Sequence, residues 1–173
     1  MLAAGGREHT ILGIDPGTAT RGWGVIRQEG SRLRYVQHGA IVTPPDWEMP
    51  RRLGRLFDGV TELVRGYRPE TLAIEELFFN TNVTTAITVG QARGVALLAA
   101  YKAGMEVTEY TPLQVKQAIT SYGRADKRQV QEMVKALLNL PAIPRPDDAA
   151  DGLAIAICHA FSSNLPGKVG VGK

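Results

Sequence analysis

ILGIDPGTAT, residues 11–20, sets a short apolar run against an aspartate, a proline and a glycine. An apolar run of this length, closed by Pro and Gly, reads as a buried β-strand. Asp15 falls at its tip, with Pro16 and Gly17 directly behind it. A carboxylate in that place either organises a turn or is the first ligand of a site. The surrounding sequence decides between the two.

Downstream, RGWGVIRQ (21–28) and LRYVQHGAIV (33–42) alternate apolar and polar residues and predict two further strands, joined to the first in an antiparallel meander. Leu53, Leu56, Phe57, Val60, Leu63 and Val64 then recur at helical spacing. TLAIE (71–75) is a fourth strand, and a long helix runs from about Asn82 to Ala103. EVTEY (106–110) is a fifth strand, after which Thr111 and Pro112 suit the N-cap and first position of a helix. One further helix carries Val130, Met133, Val134, Leu137 and Leu138. Another opens at PDDAAD (146–151) and buries Leu153, Ala154, Ile157, Cys158 and Phe161. This order predicts an α/β domain over residues 11–161, a five-stranded mixed sheet with helices on both faces. Residues 1–10 and the Gly-, Ser- and Lys-rich stretch 162–173 are expected to be disordered.

With 44% hydrophobic and 21% charged residues in 173, the chain has the composition of one soluble globular domain. A formal charge of +3 and a pI near 9.2 permit a polyanionic partner without requiring one. The single Cys158 excludes an internal disulfide, fits a reducing cytoplasm and reads as a small core residue. The start MLAAGGREHT lacks the apolar run of a signal peptide. No segment is expected to supply the roughly 18–20 apolar residues of a membrane span. The expected location is therefore the cytoplasm, without a membrane partner.

Four carboxylates stand out by position. Asp15 and Glu75 end strands, and Asp148 and Asp151 are three apart in the first turn of a helix, hence on one side of it. A helix packed across the ends of two neighbouring strands would bring all four together. Crowded carboxylates raise one another's pKa values, and hard divalent cations such as Mg²⁺ or Mn²⁺ relieve that conflict. Two such ions about 3.5–4 Å apart suit phosphodiester cleavage. Each acid also has a purely structural role open to it. Asp15 can shape a turn, Glu75 with Glu76 can be a solvated strand end, and Asp147 or Asp148 can cap the helix. The metal reading rests on the set. His159, eight residues beyond Asp151 and so about 12 Å along the helix, is assigned a structural role.

ILGIDPGTATRGWGVI, LAIEELFF, GQARGVALLAA, EYTPLQVKQAITSYGRADKRQVQ and PDDAADGLAIAICHA resemble, in order and spacing, the blocks of the RuvC family of bacterial Holliday-junction resolvases. The resemblance runs from Ile11 to about Phe161. It implies a ribonuclease-H-like fold, a homodimer, and Mg²⁺-dependent nicking of two opposed strands of a four-way DNA junction during recombination and repair. It further implies two Mg²⁺ ions per site, with Mn²⁺ able to substitute, and partnership with the RuvA–RuvB branch-migration complex. The family's catalytic and metal-binding acids fall on Asp15, Glu75, Asp148 and Asp151; in some relatives a histidine replaces the acid at Asp148. Its DNA-contacting lysines fall on Lys116 and Lys127. An aromatic that meets bases at the crossover falls on Phe78, with Phe79 as a helix-entry staple or a second wedge. Asn80–Asn82 lack the basic residue that some relatives carry there.

Independent of the resemblance, Lys116, Arg124, Lys127 and Arg128 gather around SYGRADK, and Arg93 lies in GQARG. These are candidate DNA contacts, although such runs also form ordinary solvated faces. Gly90 and Gly94 give the long helix a small-residue face, suited either to close packing on the sheet or to a dimer contact. Among rival functions, DPGT also resembles the phosphate loop of actin-like sugar kinases. Those need a second, duplicated domain that 173 residues do not supply. The shorter pre-ribosomal-RNA nucleases have a different acidic pattern, and a non-catalytic junction binder would not need the acids.

Overall fold

The computed structural model describes residues 7–17, 19–77 and 82–164. Expectations for Phe78 and Phe79 lie outside the described residues, as do those for residues 1–6 and 165–173.

β1 (His9–Ile14), β2 (Thr20–Glu29) and β3 (Arg32–Val42) form the expected antiparallel meander. β1 begins at His9, inside the stretch expected to be disordered. His9 and Thr10 pair with Gln28 and Arg27, and a backbone ladder needs no apolar side chains. α1 (Met49–Tyr67) crosses to β4 (Thr71–Glu75), which pairs parallel with β1. α2 (Val83–Lys102) leads to β5 (Glu106–Tyr110), parallel to β4. α3 (Pro112–Thr120), α4 (Lys127–Leu137) and α5 (Asp147–Ser163) complete the described chain, so α5 runs past the expected boundary at residue 161. The sheet order is β3-β2-β1-β4-β5, the mixed five-stranded arrangement that the sequence predicts.

Alternation along the central strands divides the core in two. Ile11 joins Ile26, Ala73 and Tyr110 beneath α3, α4 and α5. Leu12 and Ile14 join Val25, Leu72 and Ile74 beneath α1 and α2. α5 is buried on every side from Gly152 to Ala160 because it lies between the sheet and α3–α4. Met133, expected in the α4 core, is instead exposed; Val130, Val134 and Leu138 carry that contact.

α2 departs from expectation in two ways. At 20 residues it is long and apolar enough to cross a membrane, contrary to the sequence reading, yet Ala92, Ala96, Ala99 and Ala100 pack it against the α/β core. Its opposite side leaves Val83, Ile87, Leu98 and Tyr101 exposed, Tyr101 at 80%. Gly94 shares that outer face, and a Cβ there would meet nothing within 4 Å. Packing on the sheet therefore does not account for Gly94.

Candidate active site

Asp15 follows β1 directly, with its N–H donating to the Gly22 carbonyl across the turn at 2.9 Å. Glu75 is the last residue of β4, one strand away. α5 supplies Asp148 and Asp151, and it reaches them to the strand ends because glycines in the sheet leave room. A Cβ on Gly22 would lie 1.6 Å from the Asp148 carbonyl oxygen, and one on Gly13 would lie 2.1 Å from that of Gly152. Only residues without a side chain allow α5 to lie this low.

As a result, ligand oxygens of Asp15, Asp148 and Asp151 come within 4.8 Å of one another. Glu75 lines the same pocket with Asp15 and Asp151, a cavity of about 360 Å³ whose outer wall holds Lys116 and Lys127. Neither strand-end acid is merely solvated. Burial, then the charges of Asp151, Glu75 and Asp148, push Asp15 up to about 7, with Lys127 opposing. Burial and Asp151 likewise raise Glu75 against the pull of Lys116. Asp151 is raised by burial, with Asp148 and Asp147 adding and Lys127 opposing. Such a set is under electrostatic tension as bare carboxylates, and all-oxygen donors at this spacing fit a hard divalent cation.

Asp147 and Asp148 do not cap α5. Pro146 occupies the N-cap position, and no side chain caps the helix. Asp147 points to Arg145, with which it forms an ion pair. Asp148 is left to face the other acids.

The basic flank is positioned by two capping boxes. Thr111 and Gln114 exchange hydrogen bonds of 2.8 and 3.1 Å at the start of α3, and Asp126 and Gln129 do the same at 2.8 Å each for α4. Thr111 with Pro112 was legible as a helix start; Asp126 with Gln129 carries the same signature. These caps fix Lys116 in α3 and Lys127 at the first position of α4. Lys127 Nζ lies 3.4 Å from Asp151 Oδ2. Arg124 and Arg128 are exposed beside it.

Arg93, among the expected DNA contacts, is tied into the fold. Its side chain is only 17% exposed, is paired with Glu109 of β5, and donates Nε to the Glu75 carbonyl at 3.4 Å. Arg21, which the sequence reading did not single out, is 4% exposed on β2. Burial and the charge of Arg52 lower its guanidinium to about 10, against the attraction of Asp15. Its alternation with Trp23 and Val25 is the sequence signal of an interior face. His159 is structural, as assigned: it is 8% exposed and shares a 2.8 Å hydrogen bond with Tyr110 Oη. Cys158 is buried at 1%.

A model of the crossover junction endodeoxyribonuclease RuvC family matches residues 11–159. The crossover junction endodeoxyribonuclease RuvC of Rubrobacter xylanophilus is 82% identical over 166 residues, covering 96% of this chain and 93% of that one. Thermus thermophilus RuvC, solved in complex with Holliday junction substrate, superposes with a TM-score of 0.86 at 40% identity, over 90% of this chain and 95% of that chain. The yeast mitochondrial Holliday junction resolvase Ydc2, at 15% identity and a TM-score of 0.63 over 89% of this chain and 80% of its own, shares the fold. The acids at adjoining strand ends, the helix laid across them and the match along nearly all of the described chain lead to one assignment: this chain belongs to the RuvC family.

Proposed function

We propose that this chain is a structure-selective endonuclease that resolves four-way DNA junctions by paired nicks in opposed strands. The observation that carries this reading is the meeting of Asp15, Asp148 and Asp151 within 4.8 Å, beside Lys116 and Lys127, in a chain of this family. Asp15, Glu75, Asp148 and Asp151 would hold divalent cations, two Mg²⁺ ions with Mn²⁺ as substitute. When bound, such ions activate a water and stabilise the leaving oxygen of the cleaved phosphodiester.

The protein's own groups do the rest. Lys127, at the mouth of the pocket, exchanges its contact with Asp151 for the scissile strand's phosphate. Lys116 holds a neighbouring phosphate while its charge offsets that of Glu75. Arg124 and Arg128 extend the track along a backbone whose charge dominates affinity. Phe78 and Phe79, outside the described residues, follow Glu75 closely in sequence, and Phe78 is assigned to stack on a base unpaired at the crossover.

Two opposed cuts call for two sites, and the exposed stripe of α2 supports a homodimer. Val83, Ile87, Gly90, Gly94, Leu98 and Tyr101 fall on one side of the helix at 3.6 residues per turn. Glycines at its centre allow two such helices to approach closely. Family membership supports action in the cytoplasm with the RuvA–RuvB complex.

The deciding experiment is cleavage of a synthetic mobile four-way junction and of the matching linear duplex, with Mg²⁺, with Mn²⁺ and with chelator. Metal-dependent paired nicks in the junction alone are expected. Absence of cleavage, or equal cutting of the linear duplex, would overturn the reading.

A further inference from the structure

The β1–β4 ladder stops just where the site begins. Ile14 pairs with Ile74, and the Asp15 N–H turns away to Gly22 on β2. Continuing the alternation past the end of β1, the next residue on the side of β4 is Pro16, which has no N–H to give the Glu75 carbonyl. On the other side, the Glu76 N–H is already committed to the Tyr110 carbonyl at 2.8 Å. Arg93 fills the gap: its Nε donates to the Glu75 carbonyl at 3.4 Å, and the far end of the same guanidinium pairs with Glu109. One largely buried side chain thus ties α2, β4 and β5 together at the residue whose carboxylate enters the pocket.

We infer that Arg93, oriented by Glu109, is a positioning residue for Glu75: it fixes the backbone at the end of β4 and so the direction in which the Glu75 carboxylate leaves the strand. This rests on the reading of Glu75 as a metal-holding acid. A guanidinium suits the task because its planar fork can serve a carbonyl and a carboxylate together, which an ammonium at one point cannot. Arg93 sits on α2, the helix whose outer face carries the proposed subunit contact. The same side chain therefore links that helix directly to the catalytic strand.

The test uses full-length protein with Arg93→Leu, Arg93→Lys, Glu109→Gln and Glu75→Gln. Mn²⁺ binding to the DNA-free protein is measured by calorimetry. Junction affinity is measured by anisotropy without metal, and single-turnover cleavage is measured against Mn²⁺ concentration at saturating junction. Loss of a partner that orients a metal ligand typically costs 10–100-fold in metal affinity or activity. Arg93→Leu is expected to weaken Mn²⁺ binding and slow cleavage by about tenfold or more, with junction affinity within about twofold of wild type. Glu109→Gln shows the same pattern more mildly, and Arg93→Lys restores little. Glu109 is 42% exposed, so its variant reads the proposal even where Arg93→Leu fails to fold. Normal Mn²⁺ binding and cleavage in Arg93→Leu and Glu109→Gln would overturn the proposal. So would a loss of junction affinity with unchanged metal dependence, the mark of a DNA contact. Glu75→Gln separates the two levels. If it binds Mn²⁺ and cuts normally, the reading of Glu75 fails; if it is inactive while the Arg93 and Glu109 variants are normal, only the positioning role fails.

Discussion

Lys127 Nζ lies 3.4 Å from Asp151 Oδ2, a cation held against the rim of an acid cluster. Its charge opposes the upward shifts of both Asp15 and Asp151. Lys127→Met removes that opposition, so the acids hold their protons to higher pH. Since metal binding needs them ionised, the acidic limb of the pH–rate profile is expected to move to higher pH. The same variant should lower the log–log salt slope of junction binding by about 0.9, one phosphate contact. An unshifted profile with an unchanged slope would show that Lys127 meets neither the acids nor the DNA.

Asp15→Asn is expected to abolish nicking while leaving junction binding intact or stronger. It should also stabilise the metal-free protein at pH 8. The sign follows from the raised carboxyl: with a folded value of about 7 against an ordinary 3.8, the native state holds its proton more tightly than the unfolded chain. Stability from this group is therefore present at low pH, declines as pH rises from 3.8 towards 7, and is lost above that. The upper bound is about 4 kcal/mol, and partial exposure of Asp15 argues for a gain of about 1–2 kcal/mol, or about 2–8 °C in Tm. Thermal melts in chelator check it. A metal-free variant no more stable than wild type at pH 8 would refute the burial argument.

Gly22→Ala places a methyl where the Asp148 carbonyl already sits. Neither backbone can yield as a flexible side chain would, so α5 must lift at its N-terminal end. Overpacking typically costs about 1–3 kcal/mol, and a backbone clash belongs at the top of that range. Metal-supported activity should fall further than stability, because the displaced turn carries Asp148. Urea unfolding alongside cleavage assays distinguishes the two losses.

His159 supplies a second pH dependence. Burial, aided by His9, lowers it to about 4 from an ordinary 6.5, so the unfolded chain binds its proton first. The stability it protects is present above 6.5 and is lost as pH falls towards 4. His159→Phe is expected to flatten the stability-versus-pH slope across that window, whatever it does to absolute stability through Tyr110. A slope identical to wild type would count against the assignment.

Leu98→Glu, in the exposed stripe of α2, introduces a charge without disturbing the packed face. Sedimentation velocity is expected to show a shift from dimer to monomer, with melting nearly unchanged. The two nicks in one junction should lose their coincidence. A dimer that survives would move the interface elsewhere.

Much of this was legible in the sequence because it follows from local pattern. Asp15 and Glu75 were placed by the apolar runs that precede them, and Thr111 by its cap chemistry. What escaped was set by contacts between segments far apart in the chain. Arg93 resembles any basic residue on a helix until Glu109 and the Glu75 carbonyl are seen around it. Met133 and Val130 share helical spacing, yet only Val130 meets α5. α2 misled because it is apolar on opposite faces, one packed into the core it shares with α1 and the sheet and one exposed. Asp147 and Asp148 are adjacent, and only the fold sends one to Arg145 and the other to Asp15 and Asp151.

The placement of Asp148 and Asp151 on α5 has a consequence for synthesis. β1 and β4 leave the ribosome early, but their two acids alone do not complete the cluster. Domains generally fold as units as the chain emerges, and this centre forms only once α5 has docked against Gly13 and Gly22. A chain still being translated, or one truncated before Asp147, carries the strand-end acids but lacks the helical half of the cluster. The fold thereby withholds a DNA-cutting activity from every unfinished copy.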